Sequence, residues 1–136
     1  MVRIRLRRMG LKKQPSYRVV ITDQRASHDG GFIEIVGHHN PRTEPPTDQV
    51  NEARVLYWLS QGAQPTDAVL RMLVRLGTMA RYERLKKGEE LEALVAEAAA
   101  ARAAAPAVSP RTRYPSPAAG QSYRKAKAAA EAAKSE

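Results

Sequence analysis

Arginine recurs at every second position near the start of this chain, where Arg3, Arg5 and Arg7 alternate with Val2, Ile4 and Leu6. A period of two puts the three guanidinium groups on one face of a strand, ~6.8 Å apart, which is twice the rise per residue. Arg8, Lys12, Lys13, Arg18 and Arg25 follow, so residues 1–25 carry eight positive side chains against a single negative one, Asp23. Guanidinium forks in a row offer bidentate hydrogen bonds to phosphate oxygens, and the lysines add point charges beside them. The chemistry open to such a row is recognition of a phosphodiester backbone. A merely solvated strand face is the competing reading, but solubility is usually achieved with interspersed charges of both signs. Tyr17 can stack on a base or ribose, or simply pack where a strand opens.

Other reactive side chains are less well arranged. His38 and His39 are neighbours, so on a strand they point to opposite faces and do not share one ion. With no cysteine in the chain and no helical histidine pair to add to His28, a zinc site finds no support. Phosphate or sugar contact at a strand end suits His38 better. Ser27, His28 and Asp29 hold the letters of a hydrolase triad, yet working triads are assembled from distant segments. Asp23, Asp29 and Glu34 suggest a carboxylate site for Mg²⁺, but they read more simply as partners for Arg18 or Arg25, or as turn residues. Gly30-Gly31 lacks the lysine and spacing of a phosphate-binding loop. No catalytic residue, metal, cofactor or small-molecule substrate is therefore expected. A nuclease using Asp23, His28 and Asp29 in a basic groove, and an RNA chaperone acting through its tail, are the rival functions.

The charge balance agrees with a polyanionic partner. Lys and Arg number 23 against 14 Asp and Glu, a net charge of +9 on 136 residues. Nucleic acid is the commonest large polyanion a soluble protein meets, and binding driven by counterion release is salt-dependent. Aromatic residues make up only 5%, with one Trp (Trp58) and one Phe (Phe32), so the core is modest. The first ten residues contain no continuous apolar run, and none elsewhere approaches membrane-spanning length. A cytoplasmic location without a membrane partner is the expectation.

The elements that must position these groups follow from periodicity. Val2–Arg7 reads as a strand with one face buried and one wet, and Arg8–Pro15 as a basic loop. Tyr17–Asp23 is a second strand, Gln24–Gly31 a loop, and Phe32–Gly37 a third strand closed by His38, His39, Asn40 and Pro41. Thr47–Val50 can add a short edge strand. Asn51 caps a helix running to about Gln61, with Gly62 as its stop, and Thr66 caps a second that ends at Gly77. Val69, Leu70, Leu73, Val74 and Leu76 recur at helical spacing and are expected to bury one side of it. Core packing is expected of Tyr57, Trp58 and Leu59. The expected fold is α+β: a small, mainly antiparallel or mixed sheet with two short helices packed on it.

An alanine-rich tail follows. Glu89–Ala105 has the composition of a helix with a weak Leu91, Leu94, Val95 stripe, and its four glutamates against Arg102 make it acidic. Pro106, Pro110, Pro115 and Pro117 interrupt any continuation. Tyr114–Glu136 reads as disordered unless a partner orders it. Arg111, Arg113, Arg124, Lys125, Lys127 and Lys134 resemble a flexible basic arm that settles onto RNA, and an unbound solubilising tail is an equal alternative. The natural division is residues 1–87 as a nucleic-acid-binding domain and 88–136 as an extension.

The order of residues carries a resemblance as well. Met1-Val2-Arg3-Ile4-Arg5-Leu6, Gly10, Lys12-Lys13, Pro15 and Tyr17-Arg18-Val19-Val20 open it; Asp23, Arg25, Asp29-Gly30, Phe32-Ile33-Glu34, Val36-Gly37 and Asn40-Pro41 continue it. It resumes at Arg54, Tyr57-Trp58-Leu59, Gly62-Ala63-Gln64-Pro65-Thr66-Asp67 and Val69. This pattern closely resembles ribosomal protein family sixteen of the bacterial and organellar small subunit. The resemblance implies a structural, non-enzymatic protein that binds 16S ribosomal RNA, lies beside other small-subunit proteins rather than in a homo-oligomer, and helps the subunit assemble. It implies RNA contacts from Arg3, Arg5, Arg7, Arg8, Lys12 and Lys13, with Tyr17, Arg18, Arg25, His38 and Arg42 as a second tier. Residues from Gly88 onward lie outside the family's usual length.

Overall fold

The computed structural model describes residues 1–108 and residue 132; the basic arm expected at Tyr114–Glu136, with Arg111 and Arg113, lies outside the described residues, Ala132 apart. Val2–Leu11 (β1) and Gln14–Asp23 (β2) form an antiparallel hairpin, followed by Glu34–Asn40 (β3) and Thr47–Val50 (β4). Glu52–Ser60 (α1), Gln64–Pro65 (β5), Asp67–Leu76 (α2), Thr78–Lys86 (α3) and Leu91–Ala104 (α4) complete the chain. The strands lie in the order β4-β3-β2-β1-β5, antiparallel except where β5 runs parallel to the start of β1. The fold is α+β with a mixed sheet.

One face of the sheet builds the core. Ile4 lies opposite Ile21, and all side chains of that parity, with Val19, Val36 and Val50, turn toward the helices. Val55 and Leu59 of α1 and Val69, Met72 and Leu73 of α2 close over them. Asn51 caps α1, its side chain accepting from the Arg54 N–H at 3.3 Å. Thr66 stands at the N-cap of α2 in extended conformation but makes no side-chain cap bond. Gly77, at φ 78, ends α2 and starts α3 in one left-handed step that glycine takes without steric cost.

Several expectations change. The basic loop at Arg8–Pro15 is instead the continuation of β1 into a two-residue turn, Lys12-Lys13, with Leu11 paired to Gln14. Lys-Lys lacks the Asn-Gly signal that announces such turns, so the sequence did not disclose it. β3 begins at Glu34 rather than Phe32 and takes in His38 and His39, because Phe32 and Ile33 belong to a loop lying across the sheet. Leu70 and Val74 are exposed, and Met72 takes the buried place. Tyr57 is exposed too, its ring 4.9 Å from the Arg54 guanidinium carbon, whereas Leu59 is buried and Trp58 packs at the core margin. α3 and β5 are additions to the expected elements.

α4 packs against α1 and α3. Leu94 is fully buried and Ala98 nearly so, a burial worth about 1.5–3 kcal/mol for the leucine. Arg84 of α3 bonds Glu89 at 2.8 Å and Glu97 at 2.7 Å, and Arg102 donates to the Val50 carbonyl at the end of β4.

Candidate nucleic-acid interface

Strand register sorts the basic residues into two faces. Arg3 faces Thr22, Arg5 faces Val20, and Arg7 faces Arg18, which in turn faces His38 and then Gln49. These stand on the outer side of the sheet, away from α1 and α2. Arg8 faces Tyr17, His39 and Asp48 in the next row, on the helix side but beyond the end of the core. His38 and His39 thus lie on opposite faces. The Tyr17 and His39 ring centroids are 5.9 Å apart at a tilt of 31°, and Asp48, nearly buried, holds both His39 and Arg75.

The outer face is not simply wet. Residues 24–33 cross it and bury Val20 and Thr22. Two of the three strand arginines anchor that crossing: Arg5 donates to the carbonyls of Ala26 at 2.8 Å and Ser27 at 3.1 Å. Arg7 donates to Gly30 at 3.2 Å and Asp29 at 3.3 Å, with its guanidinium carbon 5.2 Å from the Phe32 ring centre. Carbonyl acceptors satisfy donors without cancelling the charge, so both arginines remain attractive to phosphate. Arg3 keeps a buried Nε with no acceptor among the described residues.

Three of the remaining cations are open to solvent. Arg8, Lys12 and Arg18 are exposed and have no side-chain partner among the described residues. Lys12 and Lys13 form the hairpin tip. Gly10, at φ 87, sits just before that tip, where a Cβ would stand 2.2 Å from the Gln14 carbonyl oxygen. Arg42 reaches the same region, its Nη1 3.4 Å from Oε1 of Gln14. Arg25 stands apart at the far end of the hairpin, where its backbone N–H bonds Asp23 at 2.7 Å.

Asp23 accepts from the Arg25 backbone N–H and Asp29 stands in a turn, as expected, but Glu34 goes elsewhere than the sequence suggested. Glu34 is bound by Arg54 at 2.6 Å and by the Trp58 indole N–H at 2.9 Å, not by Arg18 or Arg25. The Arg54 hydrogen bonds, then that of Trp58, pull its carboxyl down from 4.5 to about 2. Arg84 likewise holds the Glu97 carboxyl below the usual range. His28 and Asp29 form an exposed pair at 3.3 Å, with no third member aligned on them among the described residues. Among the described residues no group of three His, Cys, Asp or Glu side chains could hold a metal, and no helix is long and apolar enough to cross a membrane.

Comparison with known proteins decides the family. A family profile described as ribosomal protein S16 matches residues 8–66. The small ribosomal subunit protein bS16 of Dictyoglomus turgidum is 50% identical over 93 residues, covering 68% of this chain and 100% of that protein. The chain belongs to the ribosomal protein S16 family. Its relatives include bS16 of Thermomicrobium roseum, 48% identical over 99 residues (72% of this chain, all of the relative). The bS16 of Coprothermobacter proteolyticus is 60% identical over 78 residues, 57% of this chain and 95% of its own. The S16 match thus takes in Arg8, the hairpin tip, the Arg18–His38 row and Arg42. Arg102 lies beyond the matched residues 8–66, and nothing in the local sequence marked it as part of a surface shared with the sheet.

Proposed function

We propose that this chain is a structural constituent of the small ribosomal subunit that binds 16S rRNA through the β1–β2 hairpin. Members of the family are structural proteins, not enzymes. The observation that carries the reading is the set of exposed cations at one end of the sheet with no side-chain partner among the described residues: Arg8 and Lys12 on the hairpin and Arg18 beside them. Arg3, Arg5, Arg7, Lys13, His38 and Arg42 supply further contacts around this centre, with Tyr17 positioned to stack and Arg25 touching RNA at the far end. Residues 1–87 form the primary RNA-binding unit and 88–136 its extension. The hairpin neutralises phosphates where RNA segments approach one another, and specificity comes from RNA shape and 2′-hydroxyl contacts. Assembly of the subunit is supported by holding those segments together, beside neighbouring small-subunit proteins, in the cytoplasm and without self-association.

The test is binding of the full chain to 16S rRNA across a salt series, with unrelated RNA as competitor. Saturable, competitor-resistant binding that weakens when Arg8 and Lys12 become Ala is the expected result. Equal, weak binding to every RNA, together with failure to sediment with small subunits, would refute the proposal.

A further inference from the structure

α4 leaves a cleft of about 570 Å³ between its C-terminal half and the β3–β4 edge of the sheet. One wall is formed by Arg18, His38 and Gln49, which share a single register row on β2, β3 and β4. The other is α4 itself, presenting Val95, Ala99 and Arg102. The Arg102 Nη2 donates to the Val50 carbonyl, which seats the guanidinium at the cleft. That bond uses one of five N–H donors and neutralises no charge. Arg18, opposite, has no partner among the described residues.

The acidic residues of the surroundings do not cancel these cations. Glu97 is occupied by Arg84 and Arg81, and Glu89, Glu90 and Glu92 stand at the other end of α4. Glu52, at the cleft floor, is held by Arg81 at 2.9 Å and by the Thr78 hydroxyl at 3.1 Å. The cleft is therefore positive at both walls, with the apolar side chains of Ile35, Val95, Ala98 and Ala99 between.

We propose that this cleft is a second RNA-contact site, holding the sugar-phosphate backbone of one strand between Arg18 and Arg102. The inference rests on the RNA-binding reading above and extends it to α4, outside the region matched by the family profile. Continuity favours RNA over an acidic peptide: the row Arg7–Arg18–His38 runs from the basic outer face directly into the cleft. The Gln49 amide offers both donor and acceptor, as a 2′-hydroxyl requires, and the alanine wall suits a ribose face rather than a large anchoring side chain.

The chain has no cysteine, so Ala99→Cys and Leu11→Cys each create a single attachment point for an iron-EDTA probe that cuts nearby RNA. Both positions are exposed. With the full chain on small-subunit rRNA, and again in assembled small subunits, RNA cleavage is expected from both. Arg102→Ala should weaken binding by about tenfold and reduce the log–log salt slope by about one, whereas Arg102→Lys keeps the slope. A loss of packing alone would lower stability without this rescue. Cleavage from position 11 but none from 99, with an unchanged slope for Arg102→Ala, overturns the cleft site and leaves the hairpin reading intact. Absence of RNA cleavage from either position overturns both. A probe at 99 that marks a ribosomal protein instead of RNA also overturns the proposal, in favour of an acidic polypeptide partner.

Discussion

Arg81 donates from Nη1 to Oε1 of Glu52 at 2.9 Å, and both side chains are more than nine-tenths buried. The pair joins the start of α1 to α3, 29 residues apart, with Thr78 and the Leu76 carbonyl completing its hydrogen bonds. Removing one partner leaves an uncompensated buried charge, which costs about 3–5 kcal/mol. Arg81→Met is expected to destabilise the protein by that order in urea unfolding. Adding Glu52→Leu to Arg81→Met should recover much of the loss, since the second change removes the stranded carboxylate.

The arginines of β1 divide by what they already hold. Arg5 and Arg7 tie residues 24–33 to the sheet, so Arg5→Ala and Arg7→Ala should each cost about 1–3 kcal/mol and raise amide exchange in that loop. Arg8→Ala and Lys12→Ala remove no side-chain bond among the described residues and should leave stability within about 0.5 kcal/mol. Their effect should appear instead in rRNA binding and its salt slope. Equal destabilisation by all four would remove the distinction.

Glu34 makes stability depend on pH with a defined sign. Its carboxyl is lowered from 4.5 to about 2 by Arg54 first and Trp58 second. A lowered folded value means the unfolded state binds the proton more readily. The contribution is thus fully present above pH 4.5 and is lost as pH falls toward about 2. Glu34→Gln, which keeps an acceptor for Trp58, should flatten the unfolding midpoint across this window while leaving the steeper loss intact in the unmodified chain.

α4 makes a similar contrast within one helix. Leu94 is fully buried and Leu91, one turn earlier, is 36% exposed. Leu94→Ala should cost about 2–5 kcal/mol and Leu91→Ala less than about 1 kcal/mol. Thermal unfolding followed by circular dichroism separates them. Equal, small effects would mean that α4 does not contribute to the cooperative unit.

What the sequence disclosed was local and periodic. Alternation from Val2 to Arg7 gave β1 and the face of each arginine, and the adjacency of His38 and His39 gave their separation. Asn51 and Gly77 marked helix ends because caps have few chemical solutions. By contrast, the path of the Gln24–Gly31 loop over the outer face was invisible: Arg5 and Arg7 meet backbone carbonyls, and those acceptors carry no side-chain signature. Glu34 finds Arg54 and Trp58 only because α1 packs under β3, a contact across 20 and 24 residues. α3 escaped notice because it follows Gly77 without a spacer and offers only Met79 and Tyr82 to the core margin. Arg102 could not be assigned to the interface side before α4 was seen to pack on α1 and α3.

Gly10 tests whether hairpin geometry, beyond charge, presents the lysines. At φ 87 its backbone lies in the left-handed region, and a Cβ would meet the Gln14 carbonyl oxygen at 2.2 Å, a contact no real Cβ makes. Gly62 has the same φ of 87 but nothing within 4 Å of an added Cβ. Gly62→Ala therefore bears only the backbone cost of about 1–2 kcal/mol. Gly10→Ala bears that cost and must also push β1 and β2 apart beside Lys12 and Lys13. It should be the more destabilising of the two, and only it should weaken rRNA binding under conditions where both variants remain folded. Equal binding by the two variants would show that the tip lysines act as point charges whose exact placement is unimportant.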